Sequence, residues 1–428
     1  MALTVLLLGF AILLLAGVPV AFSFLAASLA YLVLADTPLA IAAQQLSGGV
    51  RSVTLLAIPL YILAGELLNS GGITNRIFDF ANAVIGHVRG GLGHVNVMAS
   101  MIFAGMSGSS SADAAGLGRV EIKAMLEKGY RPEFAAAITA VSSTIGPIIP
   151  PSIHLVLFGA MAEVGIDYLF LAGIVPGFIM GACLMAAVYI LVLLGREKCP
   201  TQPWPGVRLV FRTFWRAILP LTAPVIIVGG ILSGVFTPTE AGAVAVIYAL
   251  ALGYVYGGLD WAGLKEAMLR AVRSTVVVMF ILATAKVFAW GITVERVPDI
   301  LSHWLFALSS DPAMVLLLVL VGLLIIGTFE SASANLVIVT PILVPMAPAL
   351  GLDIVHFGVV IVLALMIGII TPPVGMSLYI VSDITKLPFE RVTKAVLPYT
   401  IALVIALLLT AYLPEVVMYI PKLYGYKP

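Results

Sequence analysis

The sequence predicts an all-α polytopic membrane protein made of two inverted repeats, each with five spans, a re-entrant helical hairpin and a broken helix. Three observations support this fold class. Of the 428 residues, 61% are hydrophobic and only 10% are charged, whereas soluble domains carry about 25% charged residues. Apolar stretches of helical length recur along the chain, which favours helices over the alternating strands of a membrane barrel. Two polar stretches and two proline pairs also recur at one fixed spacing.

The composition excludes several classes of function. A net charge of +1 provides no electrostatic field for a polyanion, so no nucleic-acid partner is expected. The two cysteines, Cys183 and Cys199, are too few for a disulfide framework, and the five histidines show no metal-ligand spacing. The sequence contains no Walker-type phosphate-binding loop, so the chain itself is not expected to hydrolyse ATP. We expect it to lie in a lipid bilayer.

The N-terminal residues 1–35 are almost entirely apolar, and Gly17-Val18-Pro19 divides them into two spans. No Lys or Arg precedes Arg51, so this stretch lacks the basic region of a secretory signal and is predicted to stay as membrane helices. Further apolar segments are expected near 54–69, 92–127, 133–164, 168–195, 215–236, 239–257, 274–290, 311–347, 354–383 and 395–413.

Two of these segments are long and have a polar, small-residue stretch in the middle. We expect residues 92–127 and 311–347 each to enter and leave the membrane on one side, as a re-entrant helical hairpin. Two crossings by each segment would fit the same composition, because both arrangements leave the flanking residues on the same side. The hairpins are therefore a prediction that the sequence favours but does not prove.

Two other segments are interrupted by prolines. Residues 133–164 break at Pro150-Pro151, and residues 354–383 break at Pro372-Pro373. Proline removes a backbone donor and stops a helix, and lipid-facing backbone cannot leave polar groups unpaired. Both breaks are therefore expected to be buried in protein or to line a cavity; a helix kink alone is the structural alternative.

The distribution of positive charge predicts the orientation. With the N-terminus outside and both hairpins re-entrant, most of the 22 Lys and Arg residues fall on the inner side, as the positive-inside rule requires. Both termini are then outside. The exceptions are Arg51, Arg296, Lys422 and Lys427 on the outer side, and Arg119 and Lys286 within the membrane.

A shift of 222 residues superimposes the unusual features of the two halves. Gly105 meets Gly327, Asp113 meets Asn335, and the two proline pairs coincide. The predicted division is a first repeat over 1–195, a cytoplasmic linker over 196–214 and a second repeat over 215–428. Five spans per repeat is an odd number, so the second copy must be inverted in the membrane. Inverted repeats with broken helices are typical of secondary transporters that work by alternating access.

The centres of the two hairpins, here called the first tip (Gly105–Asp113) and the second tip (Gly327–Asn335), are candidate binding sites. In the first tip, the spacing of Ser110 and Asp113 predicts a capping box at a helix N-terminus. Such a terminus attracts anions, and hydroxyls and carbonyls suit a hard cation such as Na⁺. Close helix packing by small residues is the alternative interpretation. The second tip adds Glu330, whose alternative role is to assist the helix cap.

The breaks supply backbone carbonyls without intrahelical partners, which can bind a cation. A tip beside a break predicts one cation site per repeat, with an anionic substrate between the two tips. Ser152 and Ser377 follow the breaks directly and could bind it. The residues predicted to bind the anion are Ser109, Ser111, Asp113, Ser152, Glu330, Ser331, Asn335 and Ser377.

Three intramembrane charges and one histidine are assigned structural roles. Glu66 and Lys286 occupy equivalent places in the two repeats, which predicts a structural ion pair. Arg119 follows the first tip by about two turns; packing or extension of its side chain to the interface is favoured over contact with an anion. His154 lies close to the first break, and an interior histidine with satisfied hydrogen bonds is favoured over a ligand.

Several motifs together resemble the large membrane subunit of tripartite ATP-independent periplasmic (TRAP) transporters. They are the first tip GMSGSSSADAAG, the break IGPIIPPS, the element GVFTPTEAGAVAVIYAL and the later break ITPPVGMSLY, and the resemblance covers essentially the whole chain. It implies an elevator-type fold of the ion-transporter superfamily in a bacterial inner membrane. It also implies Na⁺-coupled import of an organic acid anion, such as a C4-dicarboxylate, a sialic acid or a related carboxylate.

The resemblance further implies two partners, a small four-helix membrane subunit and a periplasmic substrate-binding protein. Because the chain starts directly in the large subunit, the small subunit is expected to be a separate chain. The family's Na⁺ sites are carried over to two sets of residues. These are Ser107, Ser110, Gly146 and Ile149 for the first site, and Gly327, Ser333, Gly368 and Thr371 for the second.

Other function classes are weighed against this one. A stand-alone symporter of the same superfamily, coupled to Na⁺ or H⁺, is the closest alternative. An intramembrane protease would need a nucleophile paired with histidine or two facing aspartates, and Asp113 meets Asn335 rather than a second aspartate. A channel would carry a steady ionic current, which an alternating-access carrier does not show. No catalytic residue is predicted, so the chain is not expected to be an enzyme.

Overall fold

The computed structural model describes residues 2–70, 73–197 and 199–427, and within these ranges all regular secondary structure is helical. The first half contains α1 (Ala2–Leu15), α2 (Val20–Leu34), α3 (Ala40–Gly48), α4 (Ala57–Ser70), α5 (Ile73–Ile85), α6 (Leu92–Ser107), α7 (Ser110–Ala115), α8 (Leu117–Glu127), α9 (Pro132–Ser142), α10 (Ile153–Ala162) and α11 (Ile166–Leu193).

The second half contains α12 (Val207–Leu232), α13 (Pro238–Val255), α14 (Trp261–Val294), α15 (Val297–Leu308), α16 (Pro312–Ile326), α17 (Ala332–Leu343), α18 (Ile354–Gly368), α19 (Met376–Thr385), α20 (Phe389–Tyr412), α21 (Pro414–Val417) and α22 (Tyr419–Leu423). Short 3₁₀ turns lie at Val53–Leu56, Ser143–Ile145 and Val344–Met346. The all-α prediction is confirmed.

The helix boundaries follow local chemistry. Gly17, at a φ of +82°, separates α1 from α2, a backbone conformation that glycine adopts without steric cost. Thr237 and Glu240 form a reciprocal capping box at the start of α13, and Pro238 occupies its first turn. Asp353 caps α18 by accepting hydrogen bonds from the first backbone N–H groups of that helix.

The order of elements repeats along the chain. The helices α9, α10 and α11 start at Pro132, Ile153 and Ile166, and α18, α19 and α20 start 222 or 223 residues later. Both proline pairs contain a cis peptide bond. This correspondence agrees with the sequence repeat, while the inversion of the second copy across a membrane and the division at 195 and 215 stay predictions. Met1 and Pro428, the outermost residues of the two repeats, lie outside the described residues.

The predicted apolar segments match helices with a few instructive differences. The hairpin segment 92–127 coincides with α6 to α8, and 311–347 with α16, α17 and the following 3₁₀ turn. Helix α12 begins at Val207, inside the predicted linker, and α14 begins at Trp261 rather than near 274. Both helices have an arginine-containing first part, which lowers hydropathy without ending the helix.

The described residues include five helices long and apolar enough to cross a membrane, or seven spans if two bent helix pairs are each counted as one. The five are α11, α12, α13, α14 and α20. Other apolar helices are shorter, including α1, α2 and the arms of the hairpins and breaks. The chain thus has the helices of a multi-pass membrane protein, and the predicted total of ten spans stays a prediction.

The two broken helices lie at the centre of the molecule. Every residue of α18 from Val355 to Gly368 is buried, as is every residue of α9 from Phe134 to Ser142. Glycines allow the closest contacts, since Gly358 of α18 packs directly on the ring of Phe158 in α10. The first break is therefore covered by protein, as the proline argument requires. In the second break, Pro372 and Pro373 are exposed, so the expectation of a buried break is wrong there, because the turn after α18 places the proline pair at the surface of the chain.

Candidate functional site

A cavity of about 890 Å³ lies between the two tips, within the size range of sites that bind small molecules. Both repeats contribute to its wall. The predicted site residues that line it are Ser107, Ser109, Ser110, Ser111, Ser331, Ser333 and Ser377. The other predicted residues, which do not line it, are Asp113, Gly146, Ile149, Ser152, Gly327, Glu330, Asn335, Gly368 and Thr371.

The first tip is a turn followed by a capped helix, but its cap is not the predicted one. Gly108 ends α6 in the left-handed region, and Ser109 follows in an extended conformation as the N-cap of α7. Its side chain accepts a hydrogen bond from the backbone N–H of Ala112. The capping box predicted for Ser110 and Asp113 is therefore wrong, because the glycine turn starts the helix one residue earlier.

Asp113 instead turns into the protein, where it is 2% exposed. Ser107 Oγ donates a hydrogen bond to Asp113 Oδ1. The other oxygen, Oδ2, is buried and accepts no hydrogen bond from the described residues. It lies so close to Gly146 that a Cβ atom at that position would collide with it. The first tip thus places an unpaired carboxylate oxygen against the first break.

Ser110 joins the first tip to both repeats. Its Oγ is 3.1 Å from Ser143 Oγ, just before the first break, and 3.2 Å from Ser377 Oγ, just after the second. All three side chains are buried. The contact with Ser377 brings the tip of one repeat against the helix that follows the break of the other.

The polar side chain of the first break forms its hydrogen bonds within the break itself. Ser152 is fully buried; its Oγ donates to the carbonyl of Pro147 and accepts from the backbone N–H of Leu155 at 3.1 Å. Ser152 is therefore the N-cap of α10. The side chain of Ile149 packs against Gly177 of α11, so only its carbonyl is available to a cation.

The second tip meets its break through the backbone. Gly327 and Gly368 pack so closely that a Cβ atom at Gly368 would collide with the backbone of Gly327. The Thr328 carbonyl accepts hydrogen bonds from the backbone N–H groups of Val374 at 3.3 Å and Gly375 at 3.4 Å. Thr371 Oγ1, just beyond the end of α18, donates to the carbonyl of Ile367 in that helix at 2.8 Å.

Asn335 occupies the place of Asp113 in the second tip, with the opposite hydrogen-bonding role. Its Nδ2 donates to the carbonyls of Ile326 at 3.2 Å and Glu330 at 3.1 Å. Ser331 caps α17, and Glu330 Oε2 accepts from the backbone N–H of Ser331 at 3.1 Å. The amide therefore closes the turn of the second tip without a charge.

A second contact between the repeats involves a histidine. His154 Nε2, in α10, is 3.2 Å from Ser333 Oγ at the second tip, and both residues line the cavity. The expectation that this histidine is fully satisfied inside the protein is wrong for one ring nitrogen, since Nδ1 is buried with no partner among the described residues.

The predicted ion pair between Glu66 and Lys286 is wrong. Glu66 Oε2 is 2.8 Å from Nε of Arg270, and both residues line the cavity between the tips. Lys286 lines another cavity, of about 930 Å³, farther along α14. The positive-inside count places Arg270 on the inner side, but Arg270 lies within α14, which begins at Trp261 rather than near 274. Arg119 also lines the first cavity.

This combination of helical hairpins and broken helices around one cavity is the architecture of a membrane transporter, and a solved transporter shares the fold. The crystal structure of the YdaH transporter of Alcanivorax borkumensis superimposes with a TM-score of 0.63 over 87% of both chains, at 16% sequence identity.

Within this class, the chain belongs to the family described as tripartite ATP-independent periplasmic transporter, DctM component, whose model matches residues 7–416. It is 46% identical to the sialic acid TRAP transporter large permease of Vibrio cholerae over 97% of both chains. It is 40% identical to the C4-dicarboxylate TRAP transporter large permease of Pseudomonas aeruginosa over 87% of both chains. The resemblance found in the sequence is confirmed, and the family consists of transporter components rather than enzymes.

Proposed function

We propose that this chain imports an organic acid anion across the bacterial inner membrane together with Na⁺, by an elevator-type alternating-access mechanism. The family supports transport, and relatives named for sialic acid and C4-dicarboxylates suggest a carboxylate substrate. The observation that carries Na⁺ coupling is the unpaired, buried carboxylate oxygen of Asp113 beside the first break.

A buried carboxylate needs a compensating charge. Removing a carboxylate from water costs several kcal/mol unless a cation, a proton or hydrogen bonds compensate its charge. Among the described residues, Asp113 accepts one hydrogen bond, from Ser107, while its second oxygen faces Gly146. Oxygen ligands are what a hard cation prefers, so the residues present fit Na⁺. Asp113 is then a cation ligand or counter-charge rather than an anion contact.

The proposed first Na⁺ site combines Asp113 with Ser107, Ser110 and the backbone of Gly146 and Ile149. The proposed second site uses Gly327, Ser333, Gly368 and Thr371, where backbone carbonyls supply most of the oxygen atoms. Cation binding at both sites orders the tips, and the ordered tips form the anion site. Substrate and Na⁺ therefore load together.

The anion occupies the cavity between the tips. The hydroxyls of Ser109, Ser111 and Ser331 line this cavity and can donate hydrogen bonds to a carboxylate. Arg119 adds a positive charge to the wall, whereas Arg270 is bonded to Glu66 and Glu266. Ser152 and Asn335 use their side chains within the break and the tip, so we assign them to supporting the site.

The loaded domain, which contains both hairpins and both broken helices, then moves against a scaffold built from the first two spans of each repeat. A gradient drives net transport only if ions and substrate bind the two access states differently.

We further propose two partner chains, a small four-helix membrane subunit and a periplasmic substrate-binding protein, and a periplasmic location for both termini.

Uptake into proteoliposomes tests the proposal. The chain is co-purified with the small subunit and reconstituted, and the binding protein is added outside with labelled N-acetylneuraminate or succinate. An inward Na⁺ gradient should produce accumulation, whereas a K⁺ gradient should not. Accumulation without Na⁺ would contradict coupling, and equal uptake without the binding protein would identify a stand-alone symporter. Steady substrate-independent current would identify a channel.

A further inference from the structure

The contact between His154 and Ser333 joins one repeat to the tip of the other. His154 lies in the first turn of α10, two residues after its N-cap Ser152. Ser333 lies in the first turn of α17, two residues after its N-cap Ser331. The 3.2 Å between His154 Nε2 and Ser333 Oγ is within hydrogen-bond distance. Both residues line the cavity where we place the anion.

The surroundings of the imidazole determine which nitrogen carries its proton. A neutral histidine has one N–H donor and one acceptor nitrogen. His154 is 8% exposed, and its Nδ1 has no hydrogen-bond partner among the described residues. A proton on Nδ1 would be a buried donor without an acceptor, and such orphaned N–H groups are rare in proteins. The proton therefore belongs on Nε2, where Ser333 Oγ accepts it.

This assignment fixes the role of the serine hydroxyl. Because Ser333 Oγ accepts from His154, the serine's own proton points elsewhere, and it meets no other acceptor among the described residues. Ser333 is partly exposed on the cavity wall. Its O–H can therefore donate to a negatively charged group in the cavity. An oxygen that accepts a hydrogen bond from histidine is also a weaker ligand for a cation.

We propose that His154 is a positioning residue that makes Ser333 a hydrogen-bond donor to the carboxylate of the transported anion. The inference rests on the proposed function and refines it, because it moves Ser333 from the second Na⁺ site to the anion site. His154 does not touch the anion itself. It acts by holding the orientation of the Ser333 hydroxyl.

The other tip lacks this arrangement. A shift of 222 residues places Met376 opposite His154, and methionine has no N–H to donate. The first tip meets α19 through the hydroxyls of Ser110 and Ser377 instead. Hydroxyl groups can exchange donor and acceptor roles, whereas His154 imposes one direction. The two tips therefore differ in how firmly they present a donor to the cavity.

Three variants of the reconstituted complex test the proposal, with N-acetylneuraminate and succinate as probes. His154→Phe removes the donor, His154→Gln keeps an amide N–H, and Ser333→Ala removes the hydroxyl. We expect His154→Phe and Ser333→Ala each to raise the KM for the transported probe about tenfold, the lower end of the effect of losing a hydrogen bond to a charged group. The kcat and the half-saturating Na⁺ concentration should change by less than about twofold.

The conservative variant and the double variant separate positioning from packing. His154→Gln should recover most of the wild-type KM, and His154→Phe combined with Ser333→Ala should be no worse than either single change. If His154→Gln is as impaired as His154→Phe, or if kcat falls with KM unchanged, the positioning role is wrong. If Ser333→Ala raises the half-saturating Na⁺ concentration instead, Ser333 is a cation ligand and the proposal fails.

A binding measurement separates this inference from the proposed function. Heat unfolding of the purified complex is followed with and without each probe in Na⁺ buffer. The wild type should be stabilised by one probe, and His154→Phe should need about ten times more of it for the same shift. If uptake does not depend on Na⁺ but His154→Phe still needs about ten times more probe than the wild type, Na⁺ coupling is refuted and the role of His154 stands. A wild type stabilised by neither probe would overturn both.

Discussion

The two tips hold their broken helices by different forces, although they occupy equivalent places in the chain. In the first repeat, α6 and α9 are joined by buried hydrogen bonds. Asn96 Nδ2 donates to Thr139 Oγ1 at 2.7 Å, Ser142 Oγ donates to Asn96 Oδ1 at 2.6 Å, and Ser100 Oγ donates to Ser142 Oγ at 3.0 Å. We call these four residues the polar zipper.

The second repeat has no counterpart of the polar zipper. A shift of 222 residues places Leu318, Gly322, Ile361 and Ala364 at the four positions, and all four are buried or half-buried. Hydrogen bonds specify one alignment of two helices, whereas apolar contacts tolerate sliding. The first hairpin is thus fixed to its broken helix, and the second is held by packing and by the glycine contact of Gly327 and Gly368.

The tips also differ in charge. Asp113 brings an ionisable carboxyl group with one unpaired oxygen to the first tip, whereas the neutral amide of Asn335 donates hydrogen bonds to two carbonyls in the second. The comparison teaches that the two repeats complete equivalent turns differently, since the first leaves one buried carboxyl oxygen without a hydrogen-bond partner among the described residues. The other completes its turn with its own amide.

Removal of the Asp113 charge should have the largest effect. Breaking a buried charge interaction costs roughly 3–5 kcal/mol, and a tenfold change in affinity corresponds to about 1.4 kcal/mol. Asp113→Asn should therefore raise the half-saturating Na⁺ concentration for uptake at least about 100-fold. Asp299→Asn is the matched control, because Asp299 is exposed in the first turn of α15 and should leave Na⁺ dependence unchanged.

Asp113→Asn also decides between the two tips. If the second tip supplied the dominant cation site, the variant would keep near-normal Na⁺ dependence. The difference in charge between Asp113 and Asn335 would then not explain how Na⁺ binds. A variant that transports well without Na⁺ would instead show that the unpaired oxygen serves another purpose.

The backbone contact of the second tip should be the next most sensitive feature. A Cβ atom at Gly368 meets the backbone of Gly327, which cannot rotate away, whereas one at Gly146 meets the movable side chain of Asp113. Gly368→Ala should lower the free energy of unfolding by about 3 kcal/mol, and Gly146→Ala by about 1 kcal/mol. Denaturant titration of the detergent-solubilised protein measures both.

Gly322→Ala provides the control for these glycine variants. Gly322 lies in α16 of the second hairpin, with nothing within 4 Å of an added Cβ atom. Alanine is the better helix former, so this change should be neutral or slightly stabilising. Equal losses at Gly146 and Gly368 would show that the two tips are equally rigid at their breaks.

The polar zipper should contribute a smaller amount. Asn96→Leu, which copies the second repeat, removes two hydrogen bonds and should cost about 2 kcal/mol of the free energy of unfolding. The quadruple variant Asn96→Leu, Ser100→Ala, Thr139→Ile and Ser142→Ala removes all four partners, so it should be more stable than the single variant. A quadruple variant less stable than Asn96→Leu in denaturant titration would show that the bonds themselves hold the hairpin.

The sequence predicts periodic and compositional features well but does not predict how side chains pair. Residues 92–127 were recognisable as a hairpin because polar residues in an apolar segment are rare. Helices α5 and α15 were missed because they are short and amphipathic, with apolar residues on one side only. The partners of Glu66 and His154 depend on contacts between distant helices, which one sequence without its fold does not specify.

The capping serines give the smallest expected effect and the sharpest test of which hydroxyls face the anion. Ser152 and Ser331 are both N-caps, and replacing an N-cap serine with alanine costs about 1 kcal/mol. Ser152 is fully buried, whereas Ser331 lines the cavity. Ser152→Ala should therefore lower the free energy of unfolding with the KM of the transported anion unchanged, and Ser331→Ala should lower stability and raise that KM. A raised KM with unchanged stability for Ser152→Ala would make Ser152 an anion ligand, as its position after the break first predicted.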